Sequence, residues 1–351
     1  MNHSTTIRSH KIAGLDQLRF VAALFVVLTH TVNEPPVFKW IGLDDSHGIL
    51  NLIRGVYWKF FFVGAPGVII FFVISGFCIH YPFSRSLHID SLPAYFTRRY
   101  LRIGLPVLPI LLYWHFFGGL SIIGVFSKTV LWSIVCEVIY YTIYPLLLIG
   151  RRFFDSWWPL VVASYAASIA AAMLHPYDKS MWFNFGLGLT WILGLPCWLL
   201  GVALVDKIHK SEVQQIGAKS ICAWRLGIWV LAAITIAMTF RGPFGDPWTL
   251  NLFAVAVFFW LAKEIDYART HPPIRWIESF GLWSYSLYLI HPIIWLWWRR
   301  YLACEHPFGP IYYAISLFVV LSLAYLYYLI IERPSHLFSG AAGKWVARQL
   351  L

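Results

Sequence analysis

Two residues that could do chemistry, Arg19 and His30, stand eleven positions apart inside the first long apolar stretch of the chain. On an α-helix, eleven residues return to nearly the same angle, so the guanidinium and the imidazole share one stripe, roughly 16 Å apart along the axis. Charged and titratable groups are costly in a membrane and normally face a bundle interior or a wet cavity. The pair is therefore the first candidate for a working site.

A carboxylate and a second imidazole also lie in apolar surroundings. Glu137 is in the fourth long apolar stretch, at a depth compatible with His30. A carboxylate beside an imidazole orients the ring and raises its basicity. Glu137 is thus a candidate partner of His30, or else a structural carboxyl hydrogen-bonded to neighbouring helices. His291, just before Pro292, is either a second site residue or a side chain that satisfies a carbonyl freed by the proline.

Three arginines, Arg98, Arg99 and Arg102, cluster at the start of the third apolar stretch. The planar fork of arginine suits the recognition of phosphate groups. Arginine also anchors membrane helices on the cytoplasmic side, where positive residues are enriched. The residues alone leave both interpretations open.

The composition is that of an integral membrane protein. Of the 351 residues, 59% are hydrophobic and 12% are charged, and the mean hydropathy is +0.66, whereas an ordinary soluble domain is about 25% charged. A helix needs about 20 mostly apolar residues to cross a bilayer. The segments that qualify are 14–32, 57–80, 99–117, 131–149, 158–174, 184–205, 224–240, 248–262, 277–298 and 311–331.

These segments predict an all-α, polytopic helical bundle of about ten transmembrane helices. We expect one membrane domain over residues 1–351, with short tails before residue 14 and after residue 335. The run Gly64-Ala65-Pro66-Gly67 predicts a break or a re-entrant turn in the second helix.

The basic residues predict the orientation. With the N-terminus in the cytoplasm, 18 of the 27 Lys and Arg residues fall on that side and 8 on the other, with Arg19 in the membrane. Both termini are then cytoplasmic under the positive-inside rule. The net charge of +11 is scattered over short loops without a basic face or a known motif, so nucleic-acid binding is not expected.

Motifs of several other enzyme classes are missing from the sequence. It contains no Gly-rich phosphate loop, no Gly-x-Ser-x-Gly and no His-Glu-x-x-His, so nucleotide hydrolysis, serine-hydrolase chemistry and zinc proteolysis are unsupported. The five cysteines are widely spaced and form no Cys-x-x-Cys pair, so no structural metal site is expected.

Several short motifs occur together in one order along the chain. They are Gly14–Arg19 with His30, Phe71–Phe77, Tyr95–Ile103, Trp132-Ser133 with Glu137 and Tyr144-Pro145, Ser284–His291, and Ile331–Pro334. In this order they resemble the membrane acyltransferase-3 family over roughly residues 14–335. Two departures are visible. Gln17 stands where the family usually has glycine, and Cys136 precedes Glu137 where the family usually has a second glutamate.

The resemblance implies transfer of an acyl group, most often acetyl, from cytoplasmic acyl-coenzyme A to a hydroxyl of a carbohydrate or lipid-linked sugar. The implied location is the inner (plasma) membrane, with membrane lipid around the chain and acetyl-CoA or another acyl-CoA as donor. No metal and no nucleic acid are implied, and a homo-oligomer is compatible with this assignment.

The same resemblance suggests roles for the candidate residues. His30 would take the acceptor proton or carry the acyl group, with Glu137 steering its ring and Arg19 holding the donor. The phosphates of coenzyme A would be bound by Arg98, Arg99 and Arg102. The acceptor would be bound by His291, Trp132 and Tyr285.

Two other classes of protein could use similar residues. A transporter would use the buried ionisable groups as a proton relay, although transporters often show two similar halves and no such repeat is visible in this sequence. The other is a non-catalytic component of a polysaccharide export assembly.

Overall fold

The computed structural model describes residues 12–31, 63–174, 182–241, 245–301 and 309–349, and within these ranges the regular secondary structure is entirely helical. Short 3₁₀ turns lie at Tyr81–Phe83, Trp182–Phe185 and Gly281–Trp283. The α-helices of these ranges are α1 (Leu15–Thr31), α2 (Gly64–His80), α3 (Leu92–Phe116), α4 (Ile122–Lys128), α5 (Trp132–Arg151), α6 (Trp158–Met173), α7 (Gly186–Lys210), α8 (Ala218–Arg241), α9 (Asp246–Thr270), α10 (Arg275–Phe280), α11 (Ser284–Tyr301), α12 (Gly309–Tyr327) and α13 (Arg333–Gln349).

Each of the ten predicted spans overlaps a long helix of the described ranges, which confirms the all-helical membrane bundle. Residues 57–62 of the second span lie outside those ranges, and the ninth span also covers α10 and a 3₁₀ turn. Six helical segments of the described ranges are long and apolar enough to cross a bilayer by length and composition. The break predicted in the second span falls where α2 begins: Val63 is not helical and residues 64–67 form the first turn of α2, while residues 57–62 of the span lie outside the described residues. Pro66 is tolerated there, since the first N–H groups of a helix have no intrahelical partner.

The two long helices at the start of the described chain run antiparallel. A Cβ on Gly64 would lie 2.8 Å from the Thr29 hydroxyl, and one on Gly67 would lie 2.9 Å from the Ala22 carbonyl. The two glycines therefore let α2 approach α1 closely, as small residues do in membrane helix packing. The end of the bundle at which α1 begins is called the near end, and the end at which α1 stops is called the far end.

The interface of α2 with α7 is tighter still. A Cβ on Gly76 would lie 1.9 Å from the Trp198 carbonyl oxygen, and one on Gly201 would lie 1.9 Å from the Val73 carbonyl oxygen. Two glycines, one from each helix, thus allow backbone-to-backbone contact. This contact fixes the position of α2, which carries one wall of the site described below.

Helix α11 runs beside α1 in the same direction. Phe20 packs against Trp283 with ring centroids 5.5 Å apart, and the backbone N–H of Gln17 donates to Glu278 Oε2 at 3.0 Å. The near end of α1 is thereby tied to α10 and to the start of α11.

The short C-terminal tail expected after residue 335 forms a helix. Helix α12 continues through a π-helical turn, Tyr328–Glu332, into α13, which packs along α3. Its buried face consists of small residues, Ser335, Ser339 and Gly343. A search for apolar runs does not detect a helix whose contact surface is built from serine and glycine.

Candidate active site

A cavity of about 570 Å³ lies among α1, α2, α3, α5, α11 and the π-helical turn. Its charged and titratable lining includes Arg19, Arg99, Arg102, Glu137 and Glu332. It reaches the near end, because residues that precede α1, follow α2 and start α11 also line it. These residues are Ile12, Tyr81, Pro82, Gly281 and Leu282.

The three arginines of the cavity come from two helices. Arg19 lies on α1 and its Nη1 is 3.4 Å from Asp16 Oδ1. Arg99, on α3, lies over the rings of Tyr95 and Tyr141, with its guanidinium carbon 5.8 and 5.6 Å from the two centroids. Cation–π contacts of this kind hold a guanidinium in place without neutralising it. The arrangement suits an anionic ligand.

Glu137 lies in this cavity within a hydrogen-bond network. Its Oε1 accepts from the Ser75 hydroxyl at 2.7 Å and from the Tyr141 hydroxyl. The Ser75 oxygen also accepts from Trp198 Nε1 at 3.4 Å. The carboxylate is therefore fixed by α2 and by its own helix.

The structure corrects the expected depth of Glu137. It lies beside Ser75, toward the near end of α2, and not at the depth of His30. The prediction took α5 to begin at the far surface, whereas the Trp132 ring packs against Phe72 in the middle of α2. No hydrogen bond joins Glu137 to His30, both of which the structure describes, so Glu137 does not steer that ring.

His30 lies instead against His291, with ring centroids 5.1 Å apart. His30 Nδ1 is 2.8 Å from the Val26 carbonyl oxygen, and His291 Nδ1 is 3.1 Å from that of Leu287. A carbonyl oxygen only accepts, so each Nδ1 donates its proton and each neutral ring keeps an unprotonated Nε2. Both imidazoles are therefore set up as proton acceptors.

An aromatic pair separates the histidines from the cavity. Tyr288 lines the cavity and its ring centroid is 6.1 Å from that of His291. Phe71, also a lining residue, packs against Tyr288 at 6.0 Å. Arg19 thus lines the cavity, while His30 lies beyond these rings, exposed and next to a chain segment outside the described residues.

Three further predicted residues take different positions. Arg98 lies outside the cavity: its side chain is exposed overall, and its Cγ packs against α13, where a Cβ on Gly343 would lie 2.1 Å from it. Trp132 packs on Phe72 and does not line the cavity. Tyr285 lines the cavity together with the arginines and donates to the Ile103 carbonyl at 3.3 Å. Tyr285 therefore lies apart from the histidine pair.

Sequence reasoning missed Glu332 as a site residue. Its side chain is 2% exposed, and Oε2 accepts from both the backbone N–H of Ser286 at 3.0 Å and the Ser286 hydroxyl at 2.5 Å. His336 Nε2 lies 3.6 Å from Oε1. Glu332 ends a π-helical turn, a feature that often marks functional sites. The available signal was a carboxylate directly after the last apolar run.

Comparison with known proteins places the chain among membrane acyltransferases. Residues 12–329 match the acyltransferase-3 family, which is described as an acyltransferase domain, and the chain belongs to this family. It is similar to Nodulation protein 10 of Rhizobium leguminosarum bv. viciae, with 24% identity over 370 aligned positions that cover 92% of each chain. No solved structure matches the chain. The family predicted from the motifs is confirmed.

Proposed function

We propose that the protein moves an acyl group, typically acetyl, from acyl-coenzyme A to a hydroxyl of a carbohydrate, either free or lipid-linked. The donor binds in the near-end cavity and the acceptor approaches His30 from the far end. One observation carries the proposal. Three arginines line a cavity that reaches one end of the bundle, and a pair of proton-accepting histidines lies beyond it toward the other end.

The arginines of the cavity support a phosphate-bearing donor. Arg19, Arg99 and Arg102 line it together with three carboxylates, Asp16, Glu137 and Glu332, of which Asp16 pairs with Arg19. Charge-assisted hydrogen bonds from arginine to phosphate are strong and directional. A volume of about 570 Å³ falls within the roughly 300–1,000 Å³ of ordinary ligand sites. It suits the flexible arm of coenzyme A, with the phosphates toward the near end.

The chemical step uses His30 as the general base. Its Nε2 takes the proton of the acceptor hydroxyl while the hydroxyl oxygen attacks the thioester carbonyl carbon. The carbon–sulfur bond breaks, and the departing sulfur receives the proton from the imidazolium. An ester and free coenzyme A result. For this step the thioester must pass the ring pair of Phe71 and Tyr288.

The supporting residues take roles that follow from their contacts. Glu137, held by Ser75 and Tyr141, balances the arginine charge in the donor cavity. Arg19 contacts the donor at the near end. Tyr285, in the same cavity, contacts the donor arm and not the acceptor.

The proposed location is the inner membrane with the near end in the cytoplasm, where coenzyme A thioesters are made. The excess of lysine and arginine on that side supports this orientation. A phosphatase that is active only outside the cytoplasm, fused after Leu351, should then be inactive. An active fusion would reverse the orientation.

The experiment that tests the proposed function uses purified protein in lipid vesicles with radiolabelled acetyl-CoA. The acceptor is surface glycan extracted from cells that lack the protein. Labelled glycan whose mass has risen by one acetyl group is the expected product. Movement of solute across the vesicle membrane without any acylated product would favour a transporter instead.

A further inference from the structure

Among the residues that the structure describes, two buried polar atoms on α11, His291 Nε2 and Trp295 Nε1, have no hydrogen-bond partner. The two side chains are 0% and 6% exposed. Buried polar groups are nearly always paired, and each exception calls for an explanation, such as a ligand or an ordered water. In a membrane bundle the unpaired state is especially costly.

The two atoms belong to one face of the helix. Residues four apart on an α-helix are neighbours, with Cβ atoms about 5–6 Å apart. His291 is also the residue that contacts His30, at 5.1 Å between ring centroids. Because α11 runs in the direction of α1, Trp295 stands one turn nearer the far end than His291. His30 and His291 lie side by side, so Trp295 stands one turn beyond the histidine pair toward the far end.

The hydrogen-bonding character of the three groups is fixed. His30 Nε2 and His291 Nε2 are acceptors, because each ring donates from Nδ1 to a carbonyl four residues earlier. The indole N–H of Trp295 is a donor only. A hydroxyl group both donates and accepts, so a hydroxyl placed between His291 and Trp295 satisfies both unpaired atoms at once. A second hydroxyl then donates to His30.

We propose that His291 and Trp295 form a subsite for the hydroxyl adjacent to the one that is acylated, so that the acceptor is a sugar with two neighbouring free hydroxyls. This inference rests on the proposed function and specifies its acceptor. Trp295 is a substrate-binding residue that sets specificity. The neighbouring hydroxyl orients the sugar, and the hydroxyl at His30 loses its proton and forms the ester.

The test measures acetyl transfer from acetyl-CoA to methyl glycosides of glucose, galactose and mannose, and to deoxy analogues that lack one hydroxyl next to the acylated position. The variant Trp295→Phe keeps an aromatic ring and removes only the N–H. We expect its KM for the glycoside to rise about tenfold, the effect of losing one hydrogen bond. The KM for acetyl-CoA and the kcat should stay unchanged.

The deoxy analogues give a second, independent readout. With the wild-type protein, an analogue lacking the neighbouring hydroxyl should show a KM about ten times higher than its parent. With Trp295→Phe, the KM of the same analogue should be close to that of its parent glycoside, because the hydrogen bond to Trp295 is already absent. Trp276→Phe, an exposed tryptophan of α10 at the near end, is the matched control and should behave as wild type.

The outcomes separate this inference from the proposed function. Equal KM values for Trp295→Phe and wild type, or equal use of parent and deoxy glycosides by the wild type, would overturn the subsite. Such a result would mean that water satisfies the two atoms. Failure of the wild type to acylate any of the sugars, while it still binds acetyl-CoA, would contradict the proposed acceptor class itself.

Discussion

His30 and His291 form a ring pair at the far end, with centroids 5.1 Å apart, and each donates its Nδ1 proton to the carbonyl one turn earlier in its own helix. Backbone carbonyls therefore set the protonated nitrogen in both rings, and no carboxylate is needed for that purpose. A general base of this kind is oriented by its own helix. This explains how Glu137 can lie elsewhere without leaving His30 unsupported.

The arginine cluster of α3 offers a matched pair of variants. Arg102→Gln removes a guanidinium from the cavity lining, whereas Arg98→Gln removes one from a side chain outside the cavity, whose Cγ lies against α13. We expect Arg102→Gln to raise the KM for acetyl-CoA by about tenfold or more, because hydrogen bonds to charged groups contribute about 1.5–3 kcal/mol. Arg98→Gln should change it less than twofold. Steady-state kinetics with varied acetyl-CoA makes the comparison, and equal effects of the two variants would leave the cavity without a role in donor binding.

Glu137→Gln tests whether the Glu137 carboxylate acts independently of the general base His30. Glutamine can still accept hydrogen bonds from Ser75 and Tyr141, so the network survives while the negative charge is lost. We expect donor affinity to change, since the charge balance around Arg19 changes. The pH at which kcat reaches half its maximum should stay that of the wild type. A shifted pH profile with unchanged donor affinity would show that Glu137 acts on His30 after all.

The contact between α2 and α7 predicts a stability difference between two glycines. Gly76→Ala places a methyl group 1.9 Å from the Trp198 carbonyl oxygen, and overpacking of this kind costs about 1–3 kcal/mol. Gly104→Ala, on α3, meets nothing within 4 Å and should be neutral or stabilising by up to about 1 kcal/mol. Thermal unfolding in detergent should show a lower midpoint for Gly76→Ala only. Equal midpoints would mean that the two helices do not approach so closely.

The C-terminal helix supports a further prediction. Gly343→Leu would clash with the Arg98 side chain and push α13 away from α3. Because Glu332 and His336 of this region line the cavity, donor affinity should fall although residue 343 does not line the cavity. Gly340→Leu, at a position with nothing within 4 Å of its Cβ, is the control. Titration of purified protein with acetyl-CoA gives the affinities, and unchanged binding in Gly343→Leu would separate α13 from the donor site.

The sequence predicts the helices far better than it predicts how deep each side chain lies. Apolar runs of about 20 residues locate ten of the eleven long helices in the described ranges, because bilayer thickness imposes that length. Helix α13 escapes the same search because Ser335, Ser339 and Gly343 form its contact face. Membership of the family is readable from motif order alone, and the match over residues 12–329 confirms it.

The sequence predicts only part of the site, because the position of several site residues depends on how the helices pack. The arginines of the third span are recognisable as a cluster, but only the fold shows that Arg99 and Arg102 line the cavity while Arg98 packs its Cγ against α13. The depth of Glu137 depends on where α5 begins relative to α2, which no local pattern contains. Glu332 stands at the end of an apolar run, and only the fold turns it into the cavity.

The most direct test of the proposed mechanism compares donor binding with acetyl transfer in the His30→Ala variant. Radiolabelled acetyl-CoA is mixed with purified protein and surface glycan, and bound donor and labelled glycan are measured in the same sample. We expect His30→Ala to bind the donor as tightly as the wild type and to lose at least about a hundredfold in transfer rate. Transfer at the wild-type rate in this variant would contradict the proposed role of His30, because the base would then be another group.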